Sequence, residues 1–206
     1  AVQDFLKPDR VVVGSDDQAA AMKVASLYDG LSTRVIITDP ASAETIKYAA
    51  NAFLATKLSF INAIAAICEG VGADINDVVV GMGSDKRIGE NFLRPGPGWG
   101  GSCFPKDSRA LIKIAEDADY SFDLLKGVIT VNDQQFERVV QQVVQAANGD
   151  PTEPPIAVWG LTFKLAPTTC AILHQSKSSS VYLHSDSRCR PLIPPSRKAS
   201  KGYPRT

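Results

Sequence analysis

The chain has 206 residues, 44% apolar and 21% charged, and its 22 basic and 22 acidic residues give a formal net charge of zero. This composition is typical of a globular protein, and the balanced charge argues against nucleic acid or an anionic membrane surface as partner. No apolar run approaches the length of a membrane span and no signal peptide is evident, so we expect a cytoplasmic protein. The four cysteines show neither disulfide nor zinc spacing, which predicts free thiols and no metal.

The first forty residues predict a strand, a helix and a second strand. RVVVGS at 10–15 and TRVIITD at 33–39 are rich in β-branched residues, and helix formers lie between them. Because there is no earlier strand for these two to join, we interpret residues 1–39 as the last piece of an α/β domain.

A long helix is predicted next, through residue 69, because Asp39 and Pro40 form a favourable N-cap and first position and apolar residues then recur at helical spacing. We expect this helix to be buried along much of its length. Lys47 and Asn51 lie four residues apart, so their side chains are neighbours on one face. On spacing alone, that pair is most simply a solvated face.

The next segments predict three further helices and a linker. We expect a short helix at 75–82, a helix beginning near Lys106 or Asp107, and another at about 122–147. NGDPTEPP is a linker into IAVWGL, an apolar strand that would begin a new α/β unit. The predicted class is α/β, with a mainly helical central domain at 40–148, the linker and strand at 149–164, and a tail at 165–206.

A cysteine ends the glycine-rich stretch PGPGWGGSC. Four glycines within 96–101 permit backbone conformations closed to other residues and let backbone amides approach a ligand. Cys103 would lie near a helix N-terminus and one turn from the ammonium group of Lys106, and both features favour the thiolate. A lone cysteine is more often a buried hydrophobe, as we expect for Cys68, but this context favours a reactive thiol at Cys103.

Histidine chemistry is excluded for residues 1–164, because both histidines lie in the tail. Ser-His-Asp and Cys-His mechanisms need an imidazole, which counts against a cysteine hydrolase. Proton transfer would fall to lysine, aspartate or glutamate.

Several segments resemble the UDP-glucose/GDP-mannose dehydrogenase family, in order and across residues 1–164. They are AVQDFLKPDRVVVGS, SAETIKYAANAFLATKLSFINAIAAICE, GSDKRIGENFLRPGPGWGGSCFPKDSRAL and GLTFK. The resemblance implies NAD as cofactor, a homodimer, and two successive oxidations of a nucleotide sugar at C6, from alcohol to aldehyde to carboxylate. The cysteine segment is most similar to members acting on UDP-glucose, with GDP-mannose as the nearest alternative. For this polypeptide in isolation, a non-catalytic dimerisation or nucleotide-sugar-binding module is a further alternative.

The resemblance also implies roles by position. Cys103 would capture the aldehyde as a thiohemiacetal, and the second oxidation would leave a thioester that water hydrolyses. Lys47 and Asn51 would stabilise the reacting oxygen, and Asp107 would order the catalytic water with Lys47. Lys106 would contact NAD, and Arg87 would reach the UDP of the neighbouring subunit. The implied substrate-binding positions are Lys47, Asn51, Arg87, Phe92, Leu93, Arg94, Pro95, Gly96, Gly100 and Lys164.

Residues 165–206 have no sustained periodicity. The family continues after GLTFK with a segment similar to AGTDDLRDSP, and the tail read one base out of frame permits GTDDLRDSP. We hypothesise a single-base deletion after Lys164 and a disordered, out-of-frame tail in which Cys170 and Cys189 carry no function. The resemblance implies that residues 1–39 are the C-terminal remnant of the family's Rossmann-like, NAD-binding α/β domain. Because the glycine-rich NAD segment of that domain would precede Ala1, we expect the chain by itself not to turn over.

Overall fold

The computed structural model describes residues 5–146. The predicted linker and strand at 149–164, with Lys164, and the tail with its frameshift hypothesis lie outside the described residues. The elements in chain order are β1 (Arg10–Gly14), α1 (Gln18–Ala25), a 3-10 turn (Ser26–Tyr28), β2 (Arg34–Thr38), α2 (Pro40–Val71), α3 (Ile75–Gly83), α4 (Phe104–Asp117) and α5 (Asp123–Ala146).

Strands β1 and β2 pair in parallel, with Arg10 opposite Arg34, and α1 forms the crossover between them. The predicted strand, helix and strand are therefore confirmed. Gly14, at the end of β1, lies against the first turn of α2. A Cβ at this glycine would lie 2.5 Å from the Cβ of Ala43, so only glycine allows the sheet to approach the helix this closely.

Helix α2 organises the rest of the structure. It begins where the sequence predicts, because the Asp39 side chain accepts a hydrogen bond from the Ser42 N–H at 2.8 Å and Pro40 occupies the first turn. It ends at Val71, where Gly72 adopts a left-handed conformation with φ 73°. The helix packs against β1, α3, α4 and α5.

The expected burial of α2 holds for one side only. Cys68 is 5% exposed, as predicted, and Ala52, Ala55, Ser59, Ile61 and Asn62 are buried as well. On the other side Phe53, Phe60 and Ile67 are 65%, 49% and 57% exposed. The prediction was wrong for this side because apolar periodicity does not say which apolar residues find a partner within the domain.

By length and composition α2 could cross a membrane, since it has 32 residues and an 18-residue window of mean hydropathy 1.4. The expectation that no apolar run approaches this length is therefore wrong. The core helix of a globular domain passes the same test. Because α2 packs against the sheet and three helices, we interpret it as such a core helix.

The core lies between α2 and α5 and includes the indole of Trp99. Ala52, Ala55, Trp99, Leu125 and Val128 form one buried cluster. Because Trp99 comes from the glycine-rich loop, the loop contributes to the core. The predicted α/β class with a mainly helical central part is confirmed.

Replacing Leu125 by alanine tests this core. Leu125 is 1% exposed within the cluster, so Leu125→Ala is expected to lower the free energy of unfolding by about 2–5 kcal/mol. Leu124 is its matched control: it is 68% exposed, and Leu124→Ala is expected to change the value by less than about 0.5 kcal/mol. Urea unfolding followed by circular dichroism measures both, and similar losses in the two variants would contradict this packing.

Candidate active site

The carboxylate of Asp107 joins helices α2 and α4. Its Oδ2 accepts hydrogen bonds from Lys47 Nζ at 2.8 Å and from Asn51 Nδ2 at 2.6 Å. Its Oδ1 accepts from Lys106 Nζ at 2.8 Å. The structure thus brings together four of the residues singled out in the sequence, including the i, i+4 pair of α2. That pair is an anchored polar site and not merely a solvated face.

The electrostatics of this cluster favour the charged carboxylate. Burial by itself raises the pKa of Asp107, whose side chain is 1% exposed, but hydrogen bonds from Lys106, Lys47 and Asn51 outweigh it and lower the pKa to about 2. The hydrogen bond to Asp107 and the negative charge of that carboxylate in turn raise the pKa of Lys106. Both lysine side chains remain more than half exposed, so they are held by Asp107 and still accessible to a ligand.

Cys103 is an exposed free thiol at the N-cap of α4. The helix begins at Phe104 and not near Lys106 or Asp107, because Pro105 is tolerated in a first turn. The Asp107 N–H donates to the Cys103 carbonyl at 2.9 Å, so thiol and carboxylate belong to the same turn. A helix N-terminus favours an anion at this position. In the part of the chain that the structure describes, no group of three His, Cys, Asp or Glu could hold a metal ion.

The glycine loop is fixed at two of its residues by side chains of α2 and α5. The Gly96 N–H donates to Asn62 Oδ1 at 2.8 Å, and its carbonyl accepts from Gln135 Nε2 at 2.7 Å. The Trp99 N–H donates to Asn132 Oδ1 at 2.7 Å, and its carbonyl accepts from Asn132 Nδ2 at 3.0 Å.

None of the loop-binding side chains was predicted from the sequence. Asn132 lies between Val128 and Phe136 at four-residue spacing, on an otherwise apolar face. Ser59, which accepts from the Trp99 indole N–H at 2.8 Å, interrupts the apolar side of α2 in the same way. A polar residue at a core position of a helix could have indicated these side chains in the sequence, because a buried polar group needs a hydrogen-bond partner.

Phe92 adopts a strained backbone conformation beside the loop. Its φ of 63° is in the left-handed region, which is unfavourable for a bulky side chain. Its ring meets Phe104 edge-on, with centroids 6.4 Å apart, so it lies near the start of α4.

The remaining predicted substrate positions differ in exposure. The Leu93 side chain is 2% exposed and turned into the domain, which leaves only its backbone for a ligand. Arg94 and Pro95 are exposed, and Gly100 is partly buried. Arg87 is exposed and paired with Asp85, with Nε 3.0 Å from Oδ1, outside the Asp107 cluster.

A cleft of about 650 Å³ opens beside Lys47 and Asn51. Its lining residues outside α2 come from residues 7–9, which lead into β1, and from Arg10 and Val12 of β1 itself. The two site residues of α2 therefore face open space between the sheet and the helix.

Comparisons with known proteins identify the domain. A sequence model of the UDP-glucose/GDP-mannose dehydrogenase family, central domain, matches residues 41–134. The chain is 49% identical over 164 residues to the UDP-glucose 6-dehydrogenase YwqF of Bacillus subtilis, and 47% identical over 169 residues to the UDP-glucose 6-dehydrogenase of Rhizobium meliloti. These alignments cover 80% of this chain but 37% and 39% of the two relatives, so the chain spans well under half of their lengths.

A solved UDP-glucose dehydrogenase from Pyrobaculum islandicum has the same fold, with a TM-score of 0.85 and 33% identity over 92% of this chain and 44% of that chain. Residues 5–146 thus have the fold of part of this dehydrogenase, and residues 41–134 match the family's central domain. Residues 41–134 belong to the central domain of the UDP-glucose/GDP-mannose dehydrogenase family. The roles of single residues and the domain boundaries at 39 and 148 stay predictions.

The pH dependence of stability tests the Asp107 cluster. Because the pKa of Asp107 falls from 3.8 to about 2 on folding, its charge adds stability above about pH 4 that is lost as the pH drops towards 2. We expect Asp107→Asn to lower the free energy of unfolding at pH 7 by about 1–2 kcal/mol, since the exposed lysines are screened by solvent. Denaturant unfolding from pH 7 to pH 2 should show this difference shrinking below pH 4. A constant difference would rule out an ionic cause.

Proposed function

We propose that this chain carries the catalytic central domain of an enzyme that oxidises UDP-glucose to UDP-glucuronate in two NAD-dependent steps. The observation that supports it most directly is the position of the exposed Cys103 thiol, one helical turn from the buried Asp107 that anchors Lys47, Asn51 and Lys106. The named relatives are UDP-glucose 6-dehydrogenases, which favours UDP-glucose over GDP-mannose.

Lys47 and Asn51 would act on the oxygen at C6. Both side chains line the cleft, and each has a donor group held in place by Asp107. A fixed ammonium and amide stabilise negative charge on the oxygen when the alcohol is oxidised and when the aldehyde is attacked. Asp107 would keep these donors aligned and hold a water molecule together with Lys47.

Cys103 would supply covalent catalysis. Its sulfur adds to the aldehyde carbon, and the carbonyl oxygen takes up a proton, which gives a thiohemiacetal. Oxidation of this adduct leaves a thioester. Water then adds to the thioester carbonyl, and the carbon–sulfur bond breaks to release the carboxylate and restore the thiol.

NAD, when bound, accepts a hydride in each of the two oxidations. The described residues fit such a group in one respect: Lys106 is 65% exposed and fixed by Asp107, so its ammonium can meet a phosphate or carboxamide of the cofactor. Lys106 would bind the cofactor on the α4 side while Lys47 binds substrate on the α2 side.

The location of the protein in the cytoplasm stays a prediction.

Enzyme activity of the full-length protein tests the mechanism. With UDP-glucose we expect two NADH per sugar, and we expect Cys103→Ala to lose at least about 10³-fold in the rate of UDP-glucuronate formation because no thioester can form. Cys68→Ala is the matched control at the buried thiol and should keep the activity. NADH absorbance and product chromatography measure both variants.

Several results would overturn this proposal. Full activity in Cys103→Ala would eliminate the thiol mechanism, and turnover of GDP-mannose in place of UDP-glucose would reassign the substrate. Binding of UDP-glucose without NADH formation in the complete protein would support a nucleotide-sugar-binding module.

We further propose that the domain forms a homodimer through α2. Phe53, Phe60 and Ile67 recur every seven residues on the exposed side of the helix, which is the spacing of a helix–helix seam. The seam crosses the middle of the 32-residue helix and is opposite the side that holds Lys47 and Asn51 through Asp107. A second copy pairing about a two-fold axis would cover it.

A charge in the seam tests the dimer. Phe60→Glu is expected to convert the dimer to a monomer, because pairing would bring two carboxylates together in an apolar contact. Leu27→Glu is the control, since Leu27 is 79% exposed on the 3-10 turn and away from the seam. Analytical ultracentrifugation gives the masses; a monomeric unmodified chain, or an unchanged dimer in Phe60→Glu, would contradict the seam.

A further inference from the structure

Three amide side chains, which we call the amide clamp, bind the backbone of the glycine loop at Gly96 and Trp99. They are Asn62 on α2 and Asn132 and Gln135 on α5. Asn62 and Asn132 are 3% and 4% exposed, and the bonds described above occupy the groups that point at the loop. Groups this buried and already paired to the backbone do not face a ligand. Their contribution to the site must pass through the loop that they hold.

The loop lies directly on α5, with no space between them. Gly98 has a φ of 112°, and a Cβ there would lie 2.9 Å from Phe136 Cε1 and 3.0 Å from Asn132 Oδ1. Both the conformation and the contact require glycine. Contacts within the domain are therefore sufficient to seat the loop on α5.

Trp99 connects the clamp with the nucleophile. Its backbone is held by Asn132, and its indole donates to Ser59 and packs edge-on against Phe104, with centroids 6.1 Å apart. Phe104 is the first residue of α4 and follows Cys103 directly. The start of α4 is therefore packed against a side chain whose backbone N–H and carbonyl are both bonded to Asn132.

We propose that Asn62, Asn132 and Gln135 are positioning residues, which keep the glycine loop preformed and hold the first turn of α4, with Cys103, in place through Trp99. The catalytic meaning of this role rests on the proposed function. The positioning itself is independent of it and is measurable in this chain without turnover.

Amide hydrogen exchange measured by NMR in the full chain tests the role. In Asn132→Ala we expect exchange of the Trp99 amide to accelerate about tenfold or more, because its partner is gone and the loop opens. The Asp107 amide, which bonds the Cys103 carbonyl, should also exchange faster, while Ile61 in the middle of α2 should not. Gln134→Ala, at the exposed neighbour of Gln135, is the control and should change none of them.

A pair of substitutions at the half-buried Gln135 separates hydrogen bonding from general destabilisation. Gln135→Lys keeps a donor for the Gly96 carbonyl, whereas Gln135→Glu turns an oxygen towards it. We expect the Gly96 amide to exchange within about threefold of the unmodified chain in Gln135→Lys, and about tenfold or more faster in Gln135→Glu. Gln134→Lys and Gln134→Glu correct for added charge. The comparison of Gln135→Lys with Gln135→Glu also tests the positioning role if Asn132→Ala does not fold.

Equal exchange in Gln135→Lys and Gln135→Glu would overturn the positioning role, as would a Trp99 amide that does not respond to loss of Asn132. An Asp107 amide unaffected by Asn132→Ala would overturn the link to Cys103. These outcomes are distinct from failure of the proposed function, which is decided by the activity of Cys103→Ala.

Discussion

The site depends on the hydrogen bonds that the buried Asp107 carboxylate accepts from Lys47, Asn51 and Lys106. Removing a carboxylate from water is costly, and it stays charged here only because two ammonium groups and an amide surround it. Two of these donors come from α2 and one from α4, so the same bonds that keep the charge also fix the two helices against each other. Replacing any one donor would leave the carboxylate less well compensated and loosen the arrangement of the others.

Much of the fold followed from local rules. Asp39 with Pro40 marks the start of α2, and segments rich in β-branched residues mark β1 and β2, because caps and strand propensity act over a few residues. The start of α4 was missed by a short distance, since proline is equally acceptable just inside a helix and just before one. The exposed side of α2 was missed because the pattern of apolar residues is the same whether their partner lies within the domain or in another copy.

The site was predictable only in part. The adjacency of Lys47 and Asn51 follows from four-residue spacing, but their meeting with Asp107 joins residues that are 60 and 56 positions apart. Only resemblance to a family could have supplied it. The amide clamp was missed for the same reason, since Asn132 binds Trp99 across 33 positions and no local pattern links them. Polar residues on apolar helix faces are the sign to look for, although they do not say which backbone they bind.

The junction between sheet and helix has a mechanical consequence. Strand β2 ends at Thr38 and α2 begins at Pro40, so one residue separates them. The close contact of Gly14 with Ala43 also holds the sheet against the first turn of the helix. The sheet and the helix therefore tilt together. At 1.5 Å per residue, the 32 residues of α2 form a lever about 48 Å long. A tilt of about 5° at the sheet displaces Val71 by about 4 Å, so a small rotation at one end of the domain becomes a displacement of nearly one helical turn at the other.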